Sequence, residues 1–575
     1  LTTNKMTVQE IWAGKKSLKL TGTGYKPEGQ FLYQGEDYDP CEDDDARMTL
    51  KIGALCNNAR LIRHKDGSEY WDIKGDPTEA ALVIAAAKAG YHKESLEKEY
   101  HRVDELPFSS KTKFMATFHE IPDKPDKIMA FIKGAPEKIL TCCESIQIDG
   151  EKQPLDKAGK ENILEHNHQM ADQALRVLGL AYAVVSRDEM EDFKEDLEYE
   201  HPVRLTFSGL SGMIDPPRKE VPQAVARCKK AGIRVIMATG DHKITARAIA
   251  KEVGILENDG RVITGSEVEK MNDEELQEAL KSTSVFARVA PDHKHRMVQA
   301  LQELDYVVAM TGDGVNDAPA LQAAEIGVAM GITGTDVTKE TAEMVLTDDN
   351  FSSIVNAIEE GRVVFKNVRK VVKFLLATNI GEDLTLLASL ILFSAEGLII
   401  SPVQILWVNL VTDGILDITL AMEPKEEEVM EEDPRQHGSK IVNKEILINI
   451  LIVALVMAAG TLFMYNDASI NNPMAAQTIV FTTLAMFQVF NAFNCRSRTR
   501  SIFTMGFFKN PYLLLAVTAS ILLQIGAIYL PFMQNALGTT PLAIQDWGGI
   551  FLISSSILIV DEIRKLIQRI FFNKA

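Results

Sequence analysis

The chain has 575 residues, with 80 acidic against 61 basic side chains and a formal charge of −19. That length allows several domains, and so strong an acidic excess excludes nucleic acid as a partner, which requires a basic face. The six cysteines (Cys41, Cys56, Cys142, Cys143, Cys228 and Cys495) form no CxxC pair and no Cys/His cluster of zinc spacing, which fits a reducing cytosol and not a disulfide framework. The opening LTTNKM lacks a charged leader with an apolar core, so no signal peptide is expected, and a trimmed piece of a longer protein is.

In chain order, Lys74-Gly75-Asp76-Pro77-Thr78-Glu79 is a turn opening an alanine-rich helix. Phe108 stands near Lys111 and Lys113; Lys133-Gly134-Ala135-Pro136-Glu137 and Leu175-Arg176-Val177-Leu178 follow. An aromatic ring can stack on adenine while lysines and an arginine attract phosphates. A Phe beside two Lys is about as often core next to solvated surface. Gly22-Thr23-Gly24 is a lone GxG, hence a turn, and no Walker A loop occurs.

Further on, Ile233–Ala238 runs into Thr239-Gly240-Asp241, and Tyr306–Met310 runs into Thr311-Gly312-Asp313-Gly314-Val315-Asn316-Asp317. Between them Ala290-Pro291-Asp292-His293-Lys294 opens a helix, and strands read at Ile326–Met330 and Met344–Leu346. Strands alternating with helices predict a parallel sheet. Ligands of such sheets bind beyond the carboxyl ends of the strands, so Thr239, Lys294 and Asp313 are expected to converge. A hydroxyl, a lysine, two aspartates for Mg²⁺ and an amide suit phosphoryl transfer. Neither aspartate is set as a nucleophile. A single TGD is only a turn; the ordered set says more.

After Lys373 the composition changes. Six apolar spans of roughly 20 residues, each long enough for a bilayer, read at 374–394, 402–422, 445–465, 474–494, 512–532 and 546–563. Arg362, Lys366, Arg369, Lys370 and Lys373 precede the first; Arg496, Arg498, Arg500 and Lys509 separate the fourth from the fifth; Arg564, Lys565, Arg569 and Lys574 follow the sixth. Ser394–Ser401, Asn466–Pro473 and Met533–Gln545 hold no Lys or Arg. That asymmetry places the soluble part and the C-terminus in the cytoplasm. Asn379 and Glu382 lie on one helix face with Asp383, and Asn409, Thr412 and Asp413 repeat the spacing with Asp417 a turn on. Gly381 and Gly414 are expected to loosen their helices and free carbonyls. Hard oxygen donors in this density suit Ca²⁺, and no Cys or His in these two spans favours softer metals. A polar network that merely fixes helix packing is the alternative.

TGD, then APDHK, then TGDGVNDAPAL resembles the P-type ATPases of the haloacid dehalogenase superfamily, over essentially the whole chain. NIGE and PVQILWVNLVTDG resemble transmembrane helices of calcium pumps of the sarcoplasmic reticulum type. The resemblance implies a multidomain α/β protein plus an all-α membrane domain. Residues 1–7 would start a Rossmann-like phosphorylation domain and 206–361 complete it; 8–205 would be an inserted α+β nucleotide-binding domain, and 362–575 a six-helix transmembrane bundle. The attacked aspartate would stand just before Leu1, outside the chain, as would an actuator domain and the first four transmembrane helices, so this portion alone is expected to be inactive. Implied catalytic residues are Thr239, Gly240, Asp241, Lys294 and Asn316, with Asp313 and Asp317 on Mg²⁺. Implied ATP contacts are Glu79, Phe108, Lys113, Lys133, Gly134 and Arg176. Implied ligands of the transported cation are Asn379, Glu382, Asn409, Thr412, Asp413 and Gln488. Asp215-Pro216-Pro217-Arg218 matches a family element that we read as a rigid turn. Two positions depart from the calcium pumps: Ser110 replaces a frequent arginine, and Gln488 replaces a glutamate. The implied activity is ATP-driven export of Ca²⁺ from the cytosol through an aspartyl-phosphate, in the plasma membrane. Na⁺, K⁺, H⁺ or Mn²⁺ as cargo stays open, and a lipid flippase or a soluble phosphatase of the same superfamily fits less well.

Overall fold

The computed structural model describes residues 1–3, 5–63, 71–199, 203–257, 259–393, 398–434 and 440–572. Asn4, Ser394 and Lys574, named above, lie outside them. The chain forms two compact units, residues 1–229 with 233–353, and 230–232 with 354–575.

The first unit is built on an 11-stranded sheet. Its centre is the strand Leu205–Ile214, buried at every position, so both faces are covered and the sequence shows no alternation there. Thr7–Ala13 pairs antiparallel with one edge of it and Arg176–Ser186 with the other. Lys124–Gly134 and Phe114–Ile121 extend the sheet as a hairpin. This sheet runs past residue 205, the expected edge of the inserted domain. Helices Asp44–Leu55 and Pro77–Lys88 cover one face; each begins at an aspartate, Asp43 or Asp76, whose carboxylate accepts the first free backbone N–H groups.

The α/β part of this unit holds two separate three-stranded parallel sheets where one was expected. In one, Met237–Thr239 and Val262–Thr264 flank Val285–Ala287. In the other, Ala309–Gly312 and Met344–Leu346 flank Ile326–Met330. Two strands start later than their apolar runs, at Met237 and Ala309; the other two match the reading.

The second unit is helical. Among the described residues, five helices are long and apolar enough to cross a membrane: Phe351–Leu392, Pro402–Ala421, Lys444–Asn471, Ala476–Cys495 and Pro511–Tyr529. The sixth expected span, 546–563, falls within helix Ile544–Phe572. In Ala476–Cys495 every side chain but Gln477 and Phe490 is buried, which makes it the central helix of the unit. Close approach depends on Gly460, where a Cβ would stand 2.7 Å from Phe487 and 2.9 Å from Ile553.

Candidate functional site

Three clusters of the implied residues form, the first two in the first unit and the third in the second. In the nucleotide cluster, Asp76 turns the chain into its helix by accepting the N–H of Thr78 and Glu79. That turn aims Glu79 at Lys133, with Oε1 2.7 Å from Nζ, while Oε2 accepts the Asn58 N–H at 3.0 Å. Arg176 reaches the same turn, donating to Thr78 Oγ1 at 3.0 Å. Gly134 pairs with Phe114 and with Gly179. A Cβ on Gly134 would meet Lys113 O at 2.4 Å and Phe114 Cβ at 2.5 Å, so only glycine lets the Ser109–Lys113 turn close over the strand end. Lys113 itself has φ 60°, and its side chain is exposed. Phe108 is 63% exposed, a free aromatic face at the rim. Sequence reasoning missed Thr78, Asn57 and Asn58. Asn57 fixes the helix start by donating to Glu79 O at 2.7 Å; an Asn pair ending a helix was the available signal.

In the phosphoryl cluster, Thr239 ends its strand, and its carbonyl accepts the Val289 N–H at 3.0 Å. The Asp241 carbonyl accepts from Arg288 at 3.0 Å. These bonds hold the TGD turn against the loop that leads into helix Pro291–Glu303. Lys294, on the first turn of that helix, puts Nζ 2.7 Å from Asp317 Oδ1. Asp317 is 6% exposed, and a Cβ on Gly312 would meet its Cβ at 2.5 Å. Gly312 therefore makes room for the carboxylate. Asp313, Asn316, Gly240 and Asp241 are exposed. The two aspartates thus differ: Asp317 is engaged by a lysine, and Asp313 is open.

Among the described residues no group of three or more His, Cys, Asp or Glu side chains could hold a metal alone. Mg²⁺ usually takes one or two carboxylates and completes its shell with water and phosphate oxygens. Open Asp313 beside Asp317 fits an ion shared with a phosphate and does not fit an all-protein cage.

In the membrane unit, Pro402–Trp407 passes into a π-helical turn, Val408–Asp413, and back to α-helix at Gly414. The wide turn presents Asp413, 2% exposed, to helix Phe351–Leu392, where Thr378 Oγ1 donates to its Oδ2 at 2.9 Å. Glu382, 5% exposed, accepts Gln488 Nε2 at 2.7 Å. Asp413 Oδ1, Asp417 Oδ1 and Gln488 Oε1 are buried without a hydrogen-bond donor among the described residues. Three buried acceptor oxygens without donors, two of them on carboxylates, are the electrostatic arrangement a cation relieves. Thr412 is buried, while Asn379, Asp383 and Asn409 lie exposed. Thr378 was missed, because a threonine in a helix more often bonds its own backbone; here it also bonds Phe374 O and Leu375 O.

One expectation is corrected. Gly381 does not loosen its helix, which is continuous from Phe351 to Leu392. A Cβ there would lie 3.1 Å from Met457 Sδ, so this glycine serves close packing against Lys444–Asn471.

Four family models match: "P-type ATPase, cytoplasmic domain N" over 45–220, "haloacid dehalogenase-like hydrolase" over 158–325 and again over 293–358, and "Cation transporting ATPase, C-terminus" over 397–567. Among curated relatives, the calcium-transporting ATPase of Bacillus subtilis is 42% identical over 562 residues, 95% of this chain and 60% of that protein. The probable cation-transporting ATPase F of Mycobacterium tuberculosis is 40% identical, over 99% of this chain and 62% of its own length. Calcium-transporting ATPase 1 of Saccharomyces cerevisiae is 39% identical, over 99% and 59%. The chain spans about 60% of the length of the relatives it matches. With the nucleotide, haloacid dehalogenase-like and C-terminal membrane parts all matched in order, the chain carries domains of the P-type cation-transporting ATPase family.

Proposed function

We propose that the chain carries the nucleotide-binding, phosphoryl-transfer and cation-binding machinery of a pump that uses ATP to move Ca²⁺ out of the cytosol. The observation that carries this reading is the burial of Glu382 and Asp413, with acceptor oxygens on Asp413, Asp417 and Gln488 that have no donor among the described residues. Lipid is a poor place for unpaired carboxylates unless a cation visits them.

In this reading ATP lies on the Glu79–Lys133–Arg176 cluster with its base against Phe108. Lys133 and Lys113 attract the phosphates. Lys294 neutralises charge growing on the transferred phosphoryl group, and the amides around Thr239 and Gly240 orient its oxygens. Asp313 and Asp317 hold Mg²⁺, which when bound spreads the charge of the phosphoryl oxygens. Asn316 holds a phosphate oxygen or a water. An aspartate supplied by the remaining length of the pump forms the covalent phosphoenzyme. The basic loops support a cytoplasmic position for the soluble parts, and the plasma membrane is the expected site.

The cargo reading rests on oxygen-only donors and on relatives named calcium-transporting. Gln488 lowers the charge of the site by one relative to a carboxylate, which favours one Ca²⁺ per cycle over two. A soluble phosphatase is disfavoured by the five apolar helices.

The test extends the chain to the length of its relatives and measures phosphoenzyme formed from ATP as each cation is added. Ca²⁺ is expected to stimulate at the lowest concentration, and Glu382→Gln to abolish that stimulation. Phosphorylation indifferent to every cation in both proteins defeats the assignment.

A further inference from the structure

At the end of the membrane unit that bears its basic loops, helix Ala476–Cys495 runs out at Arg496. A cavity of about 50 Å³ opens there, its charged lining made by Glu423, Lys425, Glu426, Arg496, Arg500 and Lys509. Both carboxylates are already engaged. Glu423 accepts Arg496 Nε at 3.0 Å and Asn510 Nδ2 at 2.7 Å. Glu426 faces Lys370 at 3.4 Å and Lys366 at 3.7 Å.

The cations are less well matched. Arg496 is 1% exposed; Nη1 donates to Gly506 O at 3.1 Å, but Nη2 finds no acceptor among the described residues. Arg500 reaches Glu428 only at 4.0 Å, and Lys425 is held by Glu359 at 3.3 Å. Lys509 is exposed and pairs with no carboxylate among the described residues. A buried guanidinium N–H without an acceptor is costly, and the ligand that relieves it offers several anionic oxygens in a small volume.

The surroundings say where that ligand comes from. Phe503 and Phe508 are 74% and 84% exposed, Tyr512 is 53% exposed, and all three stand within a few residues of Arg500 and Lys509. Bare aromatic rings beside cations at the edge of apolar helices belong in the headgroup layer of a bilayer. A bound water needs roughly 10–15 Å³ of such volume, so the cavity admits a phosphate group and no nucleotide.

We propose that this cavity binds the phosphate of an anionic phospholipid, with Arg496, Arg500 and Lys509 taking its oxygens and the aromatic rim lodged among the headgroups. The proposal needs only that the helices span a bilayer and is independent of the cation moved.

The full chain in neutral detergent is titrated with dioctanoyl phosphatidylglycerol, dioctanoyl phosphatidylcholine and glycerol phosphate, with bound species counted by native mass spectrometry. Phosphatidylglycerol is expected to bind about tenfold tighter than phosphatidylcholine, and Arg500→Gln with Lys509→Gln to weaken it roughly fivefold per charge removed. Lys509→Gln alone, at an exposed position, gives the single step if the double variant does not fold. Equal binding of the two lipids, or unchanged binding by the variants, overturns the proposal. Glycerol phosphate competing as well as phosphatidylglycerol overturns its lipid part.

Discussion

Gln488 donates its amide N–H to Glu382 Oε1 at 2.7 Å, both side chains are buried, and the amide oxygen of Gln488 is left without a donor. The glutamine thus holds the glutamate in place while offering one oxygen of its own. A carboxylate at 488 could not donate this bond when ionised; it would add charge and repel Glu382.

Gln488→Glu is therefore expected to change cation binding in kind. Two charges facing each other favour a second cation, so equilibrium ⁴⁵Ca²⁺ binding to the extended pump should rise in stoichiometry or steepen. Gln488→Leu removes the donor and the oxygen together and should weaken binding, by roughly 10–100-fold if it behaves as other groups that orient metal ligands do. Wild-type binding in both variants would remove Gln488 from the site.

Thr378→Val keeps the shape of the side chain and deletes the bond to Asp413 Oδ2. The carboxylate would then be buried with neither oxygen donated to, at a cost of about 1–3 kcal/mol. The melting temperature in cation-free buffer should fall, and saturating cation should restore part of it, because ligand bound to the folded state stabilises it. A loss that cation cannot offset would make Thr378 a plain packing residue.

The two aspartates of the GDGVND loop should separate in their effects. Lys294→Met leaves Asp317 buried without its cation, a change worth about 3–5 kcal/mol, and should be visible in urea unfolding. Asp313→Asn alters an exposed carboxylate and should leave stability within about 0.5 kcal/mol, yet abolish Mg²⁺-dependent phosphorylation of the extended pump. Equal stability losses would contradict the division of labour drawn from burial.

His119 gives a pH dependence. Burial, opposed by the bond to the Tyr100 carbonyl and assisted by Arg102, Lys93 and His101, pushes its pKa from 6.5 down to about 4. The folded state therefore holds it neutral, and the unfolded chain binds the extra proton between those values. Its contribution is complete above about pH 6.5 and is lost as pH falls toward 4, a change of ~3 kcal/mol at most. Hydrogen exchange of the strands Phe114–Ile121 and Lys124–Gly134 should quicken over that window, and His119→Gln should flatten the response.

The parts of this molecule that were legible in the sequence are those whose signal is local. Long apolar runs located the long helices of the second unit, and turn residues next to short apolar runs located the strand ends at Thr239 and Asp313. The 11-stranded sheet was far less visible. Its central strand, Leu205–Ile214, is buried on both faces, so no period of two marks it, and its neighbours Thr7–Ala13 and Arg176–Ser186 come from distant parts of the chain. Partnerships were hidden for the same reason. Composition placed Lys294 and Asp317 near one site but could not say that they neutralise each other, nor that Glu79 spends an oxygen on Lys133. The glycines misled in one case, since Gly381 and Gly414 look alike in sequence while one sits under a methionine and the other closes a π-helical turn.

That turn makes the cation cluster depend on a single surplus residue. A π-helical segment is an α-helix that has accommodated one extra member without losing its axis. Shortening Val408–Asp413 by one residue, for instance by deleting Leu410, would let the backbone relax to an ordinary helix and close the wide turn that presents Asp413 to Thr378. Every other side chain would survive and the hydrophobicity of the span would barely change, but the widened turn that directs Asp413 toward its neighbouring helix would be gone. Tolerance to substitution and intolerance to a one-residue deletion should therefore coexist within the same six positions.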